Sequence, residues 1–342
     1  MTVTPKVENL KPNDFASDQE VRWCPGCGDY AILSSMKKAL PQLEHKKEDY
    51  VFVGGIGCAA RFPYYMNTYG FHTIHGRAPA FATGIKLANP KLSVWEITGD
   101  GDALAIGGNH FIHAIRRNID INILLFNNEI YGLTKGQFSP TSKKGIKTQS
   151  NPHGITDKPF HPGKLTLGAN GTFFARVSDT NPKMMQSIFV MADQHRGTSM
   201  IEILQNCVIF NDKCHGDVTG KDVKHDAQLH LEHGKPMIFG KESNKGIILN
   251  GLKLEVVTIG ENGTTENDLL VHDAYEKDST LHNMLTTMCL PEFPVAVGVI
   301  RQVKDMTYDD GVIAQLEYEK ENAKFHSVDE LLTSGDTWEV KE

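Results

Sequence analysis

The sequence predicts an α/β protein with a doubly wound, mostly parallel sheet and a small C-terminal extension. Four short apolar runs have the length and composition of buried strands, and they cover residues 50–53, 92–98, 121–126 and 199–204. Segments with helical periodicity separate these runs. Strands that alternate with helices assemble into a parallel sheet, because each crossover helix returns the chain to the same end of the sheet.

The individual elements follow from apolar spacing and from the residues that begin or end them. Pro79 and Pro182 stand at the starts of two helices, where the fixed φ angle of proline suits the first turn. Gly, Asp and Asn follow several strands, as is typical of turns. In chain order the pattern predicts a helix over 29–40, strands over 50–53 and 71–74, a helix over 80–87, a strand over 92–98, a helix over 103–116, strands over 121–126 and 172–177, a helix over 182–195 and a strand over 199–204.

The pattern divides the chain into three parts. Residues 1–20 are polar and predict a loose N-terminal arm, whereas residues 21–230 contain the alternating strands and helices. Residues 231–342 show short strands, Asn-Gly turns and a helix over 309–324, which indicates an appended subdomain or a tail that contacts a partner. Within the central part, residues 138–163 form a long polar stretch, and loops of that length are typically functional or mobile.

Composition excludes several classes of protein. The net charge of −7 argues against non-specific binding to nucleic acid, which needs a basic face. No apolar run approaches the length that spans a bilayer, and the first 20 residues contain no apolar core of a secretory signal. We therefore expect a cytoplasmic protein without a membrane partner. In a reducing compartment, its six cysteines are more often metal ligands or reactive groups than disulfides.

Oxygen-bearing side chains follow two neighbouring strands of the predicted sheet. Asp100 comes directly after the strand over 92–98, and Asn128 follows the strand over 121–126. Because parallel strands end at one edge, these side chains and a nearby backbone carbonyl should meet there, and such hard oxygens suit Mg²⁺ and a bound phosphate. Gly101 would let the backbone approach that phosphate. An ordinary β-α-β unit with turn-forming Gly, Asp and Asn would contain the same residues.

Four cysteines are expected at the same edge. Cys24 and Cys27 form a Cys-x-x-Cys knuckle around a Pro-Gly turn, while Cys58 and Cys207 follow two of the strong strands. If the four thiolates meet, they suit an iron–sulfur cluster or structural zinc, and the spacing does not separate these two metals. The alternative is a redox dithiol at the knuckle with packed thiols at the other two positions.

Six motifs occur in an order that is typical of one family. They are Cys-Pro-Gly-Cys-Gly at 24–28, Gly-Ile-Gly-Cys at 55–58, His-Gly-Arg at 75–77, Gly-Asp-Gly-Asp at 99–102, Tyr-Gly-Leu-Thr-Lys-Gly-Gln at 131–137 and Gln-Asn-Cys at 205–207. The Gly-Asp-Gly motif is followed by Asn-Asn after 25 residues, which resembles the thiamine diphosphate motif. As a set, over about residues 20–210, the motifs resemble the β subunit of a two-subunit 2-oxoacid:ferredoxin oxidoreductase.

The resemblance implies a sheet of the thiamine diphosphate-binding type and three bound groups. Mg²⁺ would be held by Asp100, Asn128 and the backbone of Ile130, and the four cysteines named above would hold a [4Fe–4S] cluster. The chain departs from the family pattern at Ala59-Ala60, where Ser-Ser is common, and at Phe138, where a small residue is usual. Thiamine diphosphate would contact nine residues, namely Ile56, Gly57, Cys58, Ala59, His75, Gly101, Asp102, Gly132 and Leu133.

Two residues are candidates for catalysis. Arg61 has a planar guanidinium that can bind a carboxylate through two hydrogen bonds, and the run 61–65 most resembles family members that use 2-oxoglutarate. His75 can hydrogen-bond a substrate or transfer a proton near neutral pH. The ordinary alternatives are an arginine in a surface ion pair and a structural histidine at the end of a strand.

The resemblance also implies a function and partners. The chain would be the β subunit of a CoA-dependent enzyme that oxidatively decarboxylates a 2-oxo acid, with 2-oxoglutarate as the expected substrate and ferredoxin as the electron acceptor. Thiamine diphosphate enzymes also need a Glu against the aminopyrimidine ring. Since this chain has one α/β domain of this type, an α subunit should supply that Glu, in a heterodimer or a dimer of heterodimers.

Two other functions fit the same residues. A non-redox thiamine diphosphate decarboxylase would use the metal–diphosphate clamp and bind structural zinc at the cysteines. A non-enzymatic iron–sulfur electron-transfer subunit would use the cysteines and keep the clamp only as a vestige. Metal content distinguishes the first alternative from the oxidoreductase, and cofactor binding distinguishes the second.

Overall fold

The computed structural model describes residues 10–341. Residues 1–9 of the predicted N-terminal arm therefore lie outside the described part of the chain. The remainder of that arm is anchored to the protein rather than loose. Phe15 is fully buried, and its ring meets the ring of Tyr50 edge-on at 5.7 Å between centroids.

The strands coincide largely with the apolar runs of the sequence, since β-branched and aromatic side chains pack well on a pleated, buried surface. In chain order the described strands are β1 (Tyr50–Gly54), β2 (Tyr69–His72), β3 (Ser93–Gly99), β4 (Asn122–Asn127), β5 (Ile130–Tyr131), β6 (Gln137–Phe138), β7 (Phe173–Ser178), β8 (Ser199–Leu204), β9 (Gln228–Leu231), β10 (Ile238–Phe239), β11 (Lys245–Asn250), β12 (Lys253–Thr258) and β13 (Val295–Gln302).

The main sheet has eight strands in the order β2-β1-β3-β4-β8-β7-β13-β9. Every neighbouring pair is parallel except β13 with β7, which is antiparallel. The prediction of a mostly parallel α/β sheet is therefore confirmed. Two small antiparallel sheets, β10-β11-β12 and β5-β6, accompany it.

Helices connect the strands. The α-helices are α1 (Asp29–Ala39), α2 (Ala78–Ala88), α3 (Asp100–Leu104), α4 (Gly108–Arg117), α5 (Pro162–Gly168), α6 (Pro182–Gln194), α7 (Gly216–Thr219), α8 (Lys224–Ala227), α9 (Thr280–Thr287), α10 (Tyr308–Glu321) and α11 (Val328–Leu332). Short 3-10 helices cover Pro12–Phe15, Leu40–Gln42, Lys47–Asp49, Ala59–Tyr65 and Glu266–Asp268. None of the described helices has the length and apolar character to cross a membrane.

Two apolar layers cover the main sheet, one on each face, because successive strand residues point to opposite sides. The first layer contains Met36 of α1 and Phe189 of α6. The second contains Ala82 of α2 and Phe111 of α4. Helices on both faces make the sheet doubly wound, as the sequence predicts.

The predicted helix over 103–116 is wrong in one respect. The structure divides it into α3 and α4, with a break at 105–107. At this break the backbone of Gly107 lies against Gly76, and a Cβ on Gly76 would come within 2.5 Å of the Gly107 nitrogen. The break therefore allows the turn after β2 to approach the start of α4.

The C-terminal region does not separate from the main sheet at residue 230, where the sequence placed a boundary. β9 crosses that position, and β13 inserts between β7 and β9. Within the described part of this region, β10, β11 and β12 form a separate small sheet, although Met237 and Ile247 belong to the second apolar layer of the main sheet. Residues 310–341 contain no buried side chain.

The parallel strands place four functional segments at one edge of the main sheet. β1, β3, β4 and β8 are consecutive neighbours, so their carboxyl ends lie side by side. The segments that follow them begin at residues 55, 100, 128 and 205. These are the segments to which the sequence assigned the clamp and two of the cysteines.

Candidate active site

A cavity of about 520 Å³ opens at this edge, between the segments that follow β1, β3 and β4. Every residue that the sequence predicted to contact thiamine diphosphate or Mg²⁺ lines it. These residues are Ile56, Gly57, Cys58, Ala59, His75, Asp100, Gly101, Asp102, Asn128, Ile130, Gly132 and Leu133. We call this space the cofactor cavity.

Asp100 is a buried carboxylate at the start of α3, with 2% of its surface exposed. The hydroxyls of Ser139 and Thr141 both donate hydrogen bonds to its Oδ2. Oγ1 of Thr141 also lies 3.0 Å from Oδ1 of Asn127, so the segment that contains Ser139 and Thr141 packs against the end of β4. Burial raises the pKa of Asp100 to about 6. A cation in the cavity would counter this effect, since a nearby opposite charge favours the ionised carboxylate.

The left-handed backbone conformation of Glu129 positions the other two predicted metal ligands. Glu129 has a φ of 57°, which is uncommon for a residue with a side chain, and its neighbours Asn128 and Ile130 both line the cavity. The Asn128 amide donates from Nδ2 to Oε1 of Gln205 at 2.8 Å. Its Oδ1 accepts from the Ile130 N–H at 3.2 Å. Asp100 and Asn128 thus present hard oxygens to one cavity, which fits Mg²⁺.

Asp102 joins three neighbouring segments and is only 3% exposed. Its Oδ2 accepts hydrogen bonds from the Ile56 N–H at 3.1 Å and the Thr98 hydroxyl at 2.9 Å. Its Oδ1 accepts from the Gly76 N–H at 2.7 Å and from Nδ1 of His75. The carboxylate therefore fixes the ends of β1, β2 and β3 around the cavity.

Two glycines make room for this arrangement. A Cβ on Gly55 would lie 1.7 Å from Oδ2 of Asp102, so any side chain there would displace the carboxylate. A Cβ on Gly101 would lie 2.3 Å from the Tyr131 ring, whose hydroxyl donates to the Gly101 carbonyl at 2.8 Å. The sequence assigned Gly101 to the approach of a phosphate. The structure adds that the tyrosine ring occupies the space of a side chain.

His75 lines the cavity, and one of its ring nitrogens is hydrogen-bonded to Asp102. A carboxylate only accepts hydrogen bonds, so Nδ1 carries the proton that it shares with Asp102, and Nε2 of the neutral ring is an acceptor. The His75 ring also lies edge-on to the Tyr131 ring, with 6.3 Å between centroids. The pairing fixes both the orientation and the tautomer of the imidazole.

A second cavity, of about 180 Å³, is lined by the four predicted cysteine ligands, Cys24, Cys27, Cys58 and Cys207. We call it the cysteine cavity. Gly26, with a φ of 84°, turns the knuckle so that the Cys27 N–H donates to the Cys24 carbonyl at 3.0 Å. The Trp23 indole donates to the Cys58 carbonyl at 2.7 Å, which joins the knuckle to the segment after β1.

Gly132 leaves open the space between two of these sulfurs. A Cβ at this position would lie 3.6 Å from Sγ of Cys207 and 3.7 Å from Sγ of Cys58. Burial raises the pKa of the Cys58 thiol to about 11 and also raises that of Cys27. Within residues 10–341, no three His, Cys, Asp or Glu side chains stand close enough together to hold a single metal ion. Four thiols around an open space fit the donor set of an iron–sulfur cluster.

The two cavities adjoin. Gln205 connects them through one amide group: its Nε2 donates to Sγ of Cys27 at 3.3 Å, and its Oε1 accepts from Asn128. One side chain therefore lies between a predicted Mg²⁺ ligand and a predicted cluster ligand. Five residues line both cavities, namely Asp29, Cys58, Asn128, Gly132 and Leu133.

Arg61 is not among the residues that line the cofactor cavity. It lines the cysteine cavity, and its Nη1 donates to the Arg22 carbonyl at 3.4 Å. Over residues 10–341, no Asp or Glu side chain forms a salt bridge with Arg61, whereas the neighbouring Arg22 pairs with Glu20. The guanidinium of Arg61 therefore has hydrogen-bonding capacity for an anion, and its catalytic role stays a prediction.

Comparison with known proteins agrees with this geometry. Residues 55–203 match the family described as thiamine pyrophosphate enzyme, C-terminal TPP binding domain. The 2-oxoglutarate oxidoreductase subunit KorB of Mycobacterium tuberculosis is 47% identical over 333 residues, which cover 96% of this chain and 88% of that protein. The chain belongs to the 2-oxoacid oxidoreductase beta-subunit family.

Two further relatives extend the likeness beyond the cofactor segment. The 2-oxoglutarate synthase subunit KorB of Methanocaldococcus jannaschii is 38% identical over 237 residues, covering 68% of this chain and 87% of that protein. The 2-oxoglutarate:ferredoxin oxidoreductase of Magnetococcus marinus, solved with 2-oxoglutarate, coenzyme A and succinyl-CoA bound, has a TM-score of 0.77 and 28% identity. That match covers 97% of this chain and 98% of the solved one, so the C-terminal region is included.

Sequence reasoning missed several contacts of this 2-oxoacid oxidoreductase subunit. Asp29 lines both cavities, is 2% exposed, and has a pKa raised to about 7 by burial. Gln205 bridges the cavities, and Ser139 and Thr141 brace Asp100. Each carried a signal: Asp29 follows the Cys-Pro-Gly-Cys-Gly motif, Gln205 begins Gln-Asn-Cys, and the bracing hydroxyls lie in the long loop that was expected to be functional.

We predict that Asp102→Asn weakens binding of thiamine diphosphate to the beta subunit in its complex by about tenfold or more. An amide cannot accept hydrogen bonds on both sides, and each buried donor left unpaired costs about 1–3 kcal/mol. Calorimetric titration with thiamine diphosphate and Mg²⁺ measures the effect. The exposed Asp222→Asn variant is the control, and wild-type affinity in Asp102→Asn would contradict the assigned role.

Proposed function

We propose that this chain is the catalytic β subunit of a CoA-dependent 2-oxoglutarate:ferredoxin oxidoreductase. The reaction converts 2-oxoglutarate and coenzyme A to succinyl-CoA and CO₂, and it delivers two electrons to ferredoxin. One observation carries the proposal: Cys58 lines both the cofactor cavity and the cysteine cavity. The name of the Mycobacterium tuberculosis relative and the molecules bound to the Magnetococcus marinus protein support 2-oxoglutarate as the substrate.

Thiamine diphosphate and Mg²⁺ would occupy the cofactor cavity. Asp100, Asn128 and the carbonyl of Ile130 would hold the metal, and a cation there would favour the ionised form of the buried Asp100 carboxylate. When bound, thiamine diphosphate supplies the electron sink that makes loss of CO₂ from a 2-oxo acid feasible. Tyr131 and Asp102 keep the backbone that surrounds the cofactor in place.

His75 would hold and release a proton beside the reacting atoms. Its Nδ1 is bound to Asp102, so proton transfer would take place at Nε2. The apolar side chains of Ile56, Ile130 and Leu133 line the same cavity and limit the access of water. The chain would thus position the cofactor, transfer a proton and exclude water from the cavity.

A [4Fe–4S] cluster would be held by Cys24, Cys27, Cys58 and Cys207. When bound, such a cluster supplies a one-electron acceptor close to the cofactor. Gln205 donates a hydrogen bond to Sγ of Cys27, and bonds of this kind to ligand sulfurs raise the reduction potential of a cluster. The cavity of about 180 Å³ among the four cysteines supports the presence of a bound group.

An α subunit would complete the cofactor cavity and supply the Glu for the aminopyrimidine ring, together with contacts to coenzyme A and substrate. Exposed apolar residues border the cavity and support this docking site. Ile74 precedes His75 and is 68% exposed, and Ile106, which lies against Gly76, is 54% exposed. The assembly would be a heterodimer or a heterotetramer built as a dimer of heterodimers.

We also propose a cytoplasmic location. All six cysteines are free thiols, and four of them surround the site of a cluster that a reducing compartment would preserve. Ferredoxin, the proposed acceptor, would approach the cysteine cavity.

The complex of this chain with its α subunit should reduce a viologen dye in the presence of 2-oxoglutarate and coenzyme A. The isolated chain should show no turnover, because it lacks the Glu that activates the cofactor. An anaerobic assay of the co-purified complex, with the chain alone and the α subunit alone as controls, measures both rates. Turnover by the isolated chain at the rate of the complex would refute the shared site.

Anaerobic chemical analysis should find about four iron and four sulfide ions per chain, as a [4Fe–4S] cluster requires. Cys58→Ser should lose most of this iron because one of four ligands is removed. Cys214→Ser is the matched control, since Cys214 is also partly buried yet lies outside the cysteine cavity. Zinc in place of iron would instead support the non-redox decarboxylase.

Arg61→Ala should raise the KM for 2-oxoglutarate about tenfold or more and leave the KM for pyruvate within about twofold. A charge-assisted hydrogen bond to the distal carboxylate contributes about 1.5–3 kcal/mol, and pyruvate lacks that group. Steady-state kinetics of the complex provide both constants. Arg22→Ala removes the neighbouring exposed guanidinium as a control, and equal changes for both substrates would rule out the role of Arg61.

A further inference from the structure

A polar cavity lies at the opposite edge of the main sheet from the cofactor cavity. The first residues of β3 and β4 form one side of it, and the chain around the ends of α2 and α6 forms the other. Its volume is about 210 Å³. We call it the amino-edge cavity, because β3 and β4 begin there. The proposed reaction takes place at the carboxyl ends of the strands and therefore does not use this cavity.

The buried charged side chains in the wall of the amino-edge cavity already have partners within the protein. Nζ of Lys86 lies 2.7 Å from Oδ2 of Asp120, and the Lys86 residue is only 4% exposed. The carboxylate of Asp193 accepts hydrogen bonds from the Ser93 hydroxyl and from Nε2 of His45. A charged ligand would be buried without a counter-charge of its own, so the wall favours an uncharged ligand.

One hydrogen-bonding group in the wall has no partner in the described part of the chain. Asn122 is the first residue of β4, lines the cavity and is only 6% exposed. Its side-chain amide takes part in none of the hydrogen bonds between residues 10 and 341. A buried amide costs folding free energy unless it is hydrogen-bonded, so this amide points to a partner from outside the chain.

His195 provides a second group of this kind. The Thr172 hydroxyl donates its single proton to Oδ1 of Asn118 at 2.7 Å, so at 2.9 Å it must accept from Nε2 of His195. Burial lowers the pKa of His195 to about 4, which keeps the ring neutral. Nδ1 of the neutral ring is then a hydrogen-bond acceptor, and no described residue donates to it. His195 lines the cavity and is 5% exposed.

These groups define the chemistry of a ligand. The amide of Asn122 has a donor and an acceptor side by side, and such an amide pairs with the edge of a planar base through two hydrogen bonds. Nδ1 of His195 accepts one further N–H. Pro90, Leu92 and Val94 add apolar surface to the same cavity, which suits the faces of a ring.

We propose that the amino-edge cavity binds a small uncharged cyclic amide of the pyrimidine-base type. One N–H of the ring and the adjacent carbonyl would pair with Asn122. A second N–H would donate to His195. The inference does not depend on the proposed reaction, because the amino-edge cavity and the cofactor cavity lie at opposite edges of the sheet.

Binding of uracil to the assembled enzyme tests this site. The complex with the α subunit is first saturated with thiamine diphosphate and coenzyme A, so that the probe cannot occupy their sites. Saturation-transfer NMR should then give a Kd for uracil below about 1 mM. The control probe is 1,3-dimethyluracil, which has the same ring without an N–H, and it should bind at least about tenfold more weakly. No saturable binding of uracil, or equal binding of both probes, would overturn the proposal.

A variant locates the bound probe. Asn122→Leu should raise the Kd for uracil about tenfold or more, because both hydrogen bonds to the amide are lost. Asn322→Leu is the control, since Asn322 is exposed at the end of α10 and lies outside the cavity. Unchanged affinity in Asn122→Leu would show that uracil binds elsewhere, which would contradict the site.

Crystals of the wild-type complex soaked in uracil provide a test that does not depend on the folding of a variant. We expect electron density for a planar ring in contact with Asn122 and His195. Density for water molecules alone in the amino-edge cavity, in crystals soaked above the measured Kd, would refute the proposal.

Discussion

The buried carboxylate of Asp102 is the contact on which the arrangement of the active site depends. A charged group that is only 3% exposed must find hydrogen-bond donors within the protein, and Asp102 finds them at the ends of three strands. The donors include the Ile56 N–H and the His75 ring. The same carboxylate therefore positions Ile56, which forms part of the apolar cavity lining, and His75, the proposed proton-transfer group. Gly55 has no side chain because the carboxylate occupies that space.

A second set of contacts brings the cysteines beside the cofactor cavity. The Trp23 indole binds the Cys58 carbonyl, and Gln205 binds both Cys27 and Asn128. These hydrogen bonds connect the N-terminal knuckle, the segment after β1 and the segment after β8. The distance between cofactor and cluster would therefore be fixed by the sheet edge, because all three segments are anchored there. Electron transfer between neighbouring groups needs such a fixed placement.

Much of this arrangement could be predicted from the sequence, because it depends on local patterns. Apolar periodicity indicates the strands, and the residues that follow parallel strands must share an edge, so Asp100, Asn128 and Cys58 could be placed together. Contacts between distant side chains have no such pattern. The bridging role of Gln205 and the position of Arg61 outside the cofactor cavity depend on tertiary packing. The insertion of β13 and the break between α3 and α4 likewise arise from long-range contacts, since apolar spacing continues through the break.

The central claim is that the cofactor cavity and the cysteine cavity form one redox site. Electron paramagnetic resonance of the anaerobic α–β complex tests it most directly. Addition of 2-oxoglutarate, without ferredoxin, should produce the signal of a reduced [4Fe–4S] cluster before any external reductant is added. The opposite result would be a complex that binds thiamine diphosphate and whose cluster is reduced by dithionite but gives no signal with 2-oxoglutarate. That result would contradict a shared site.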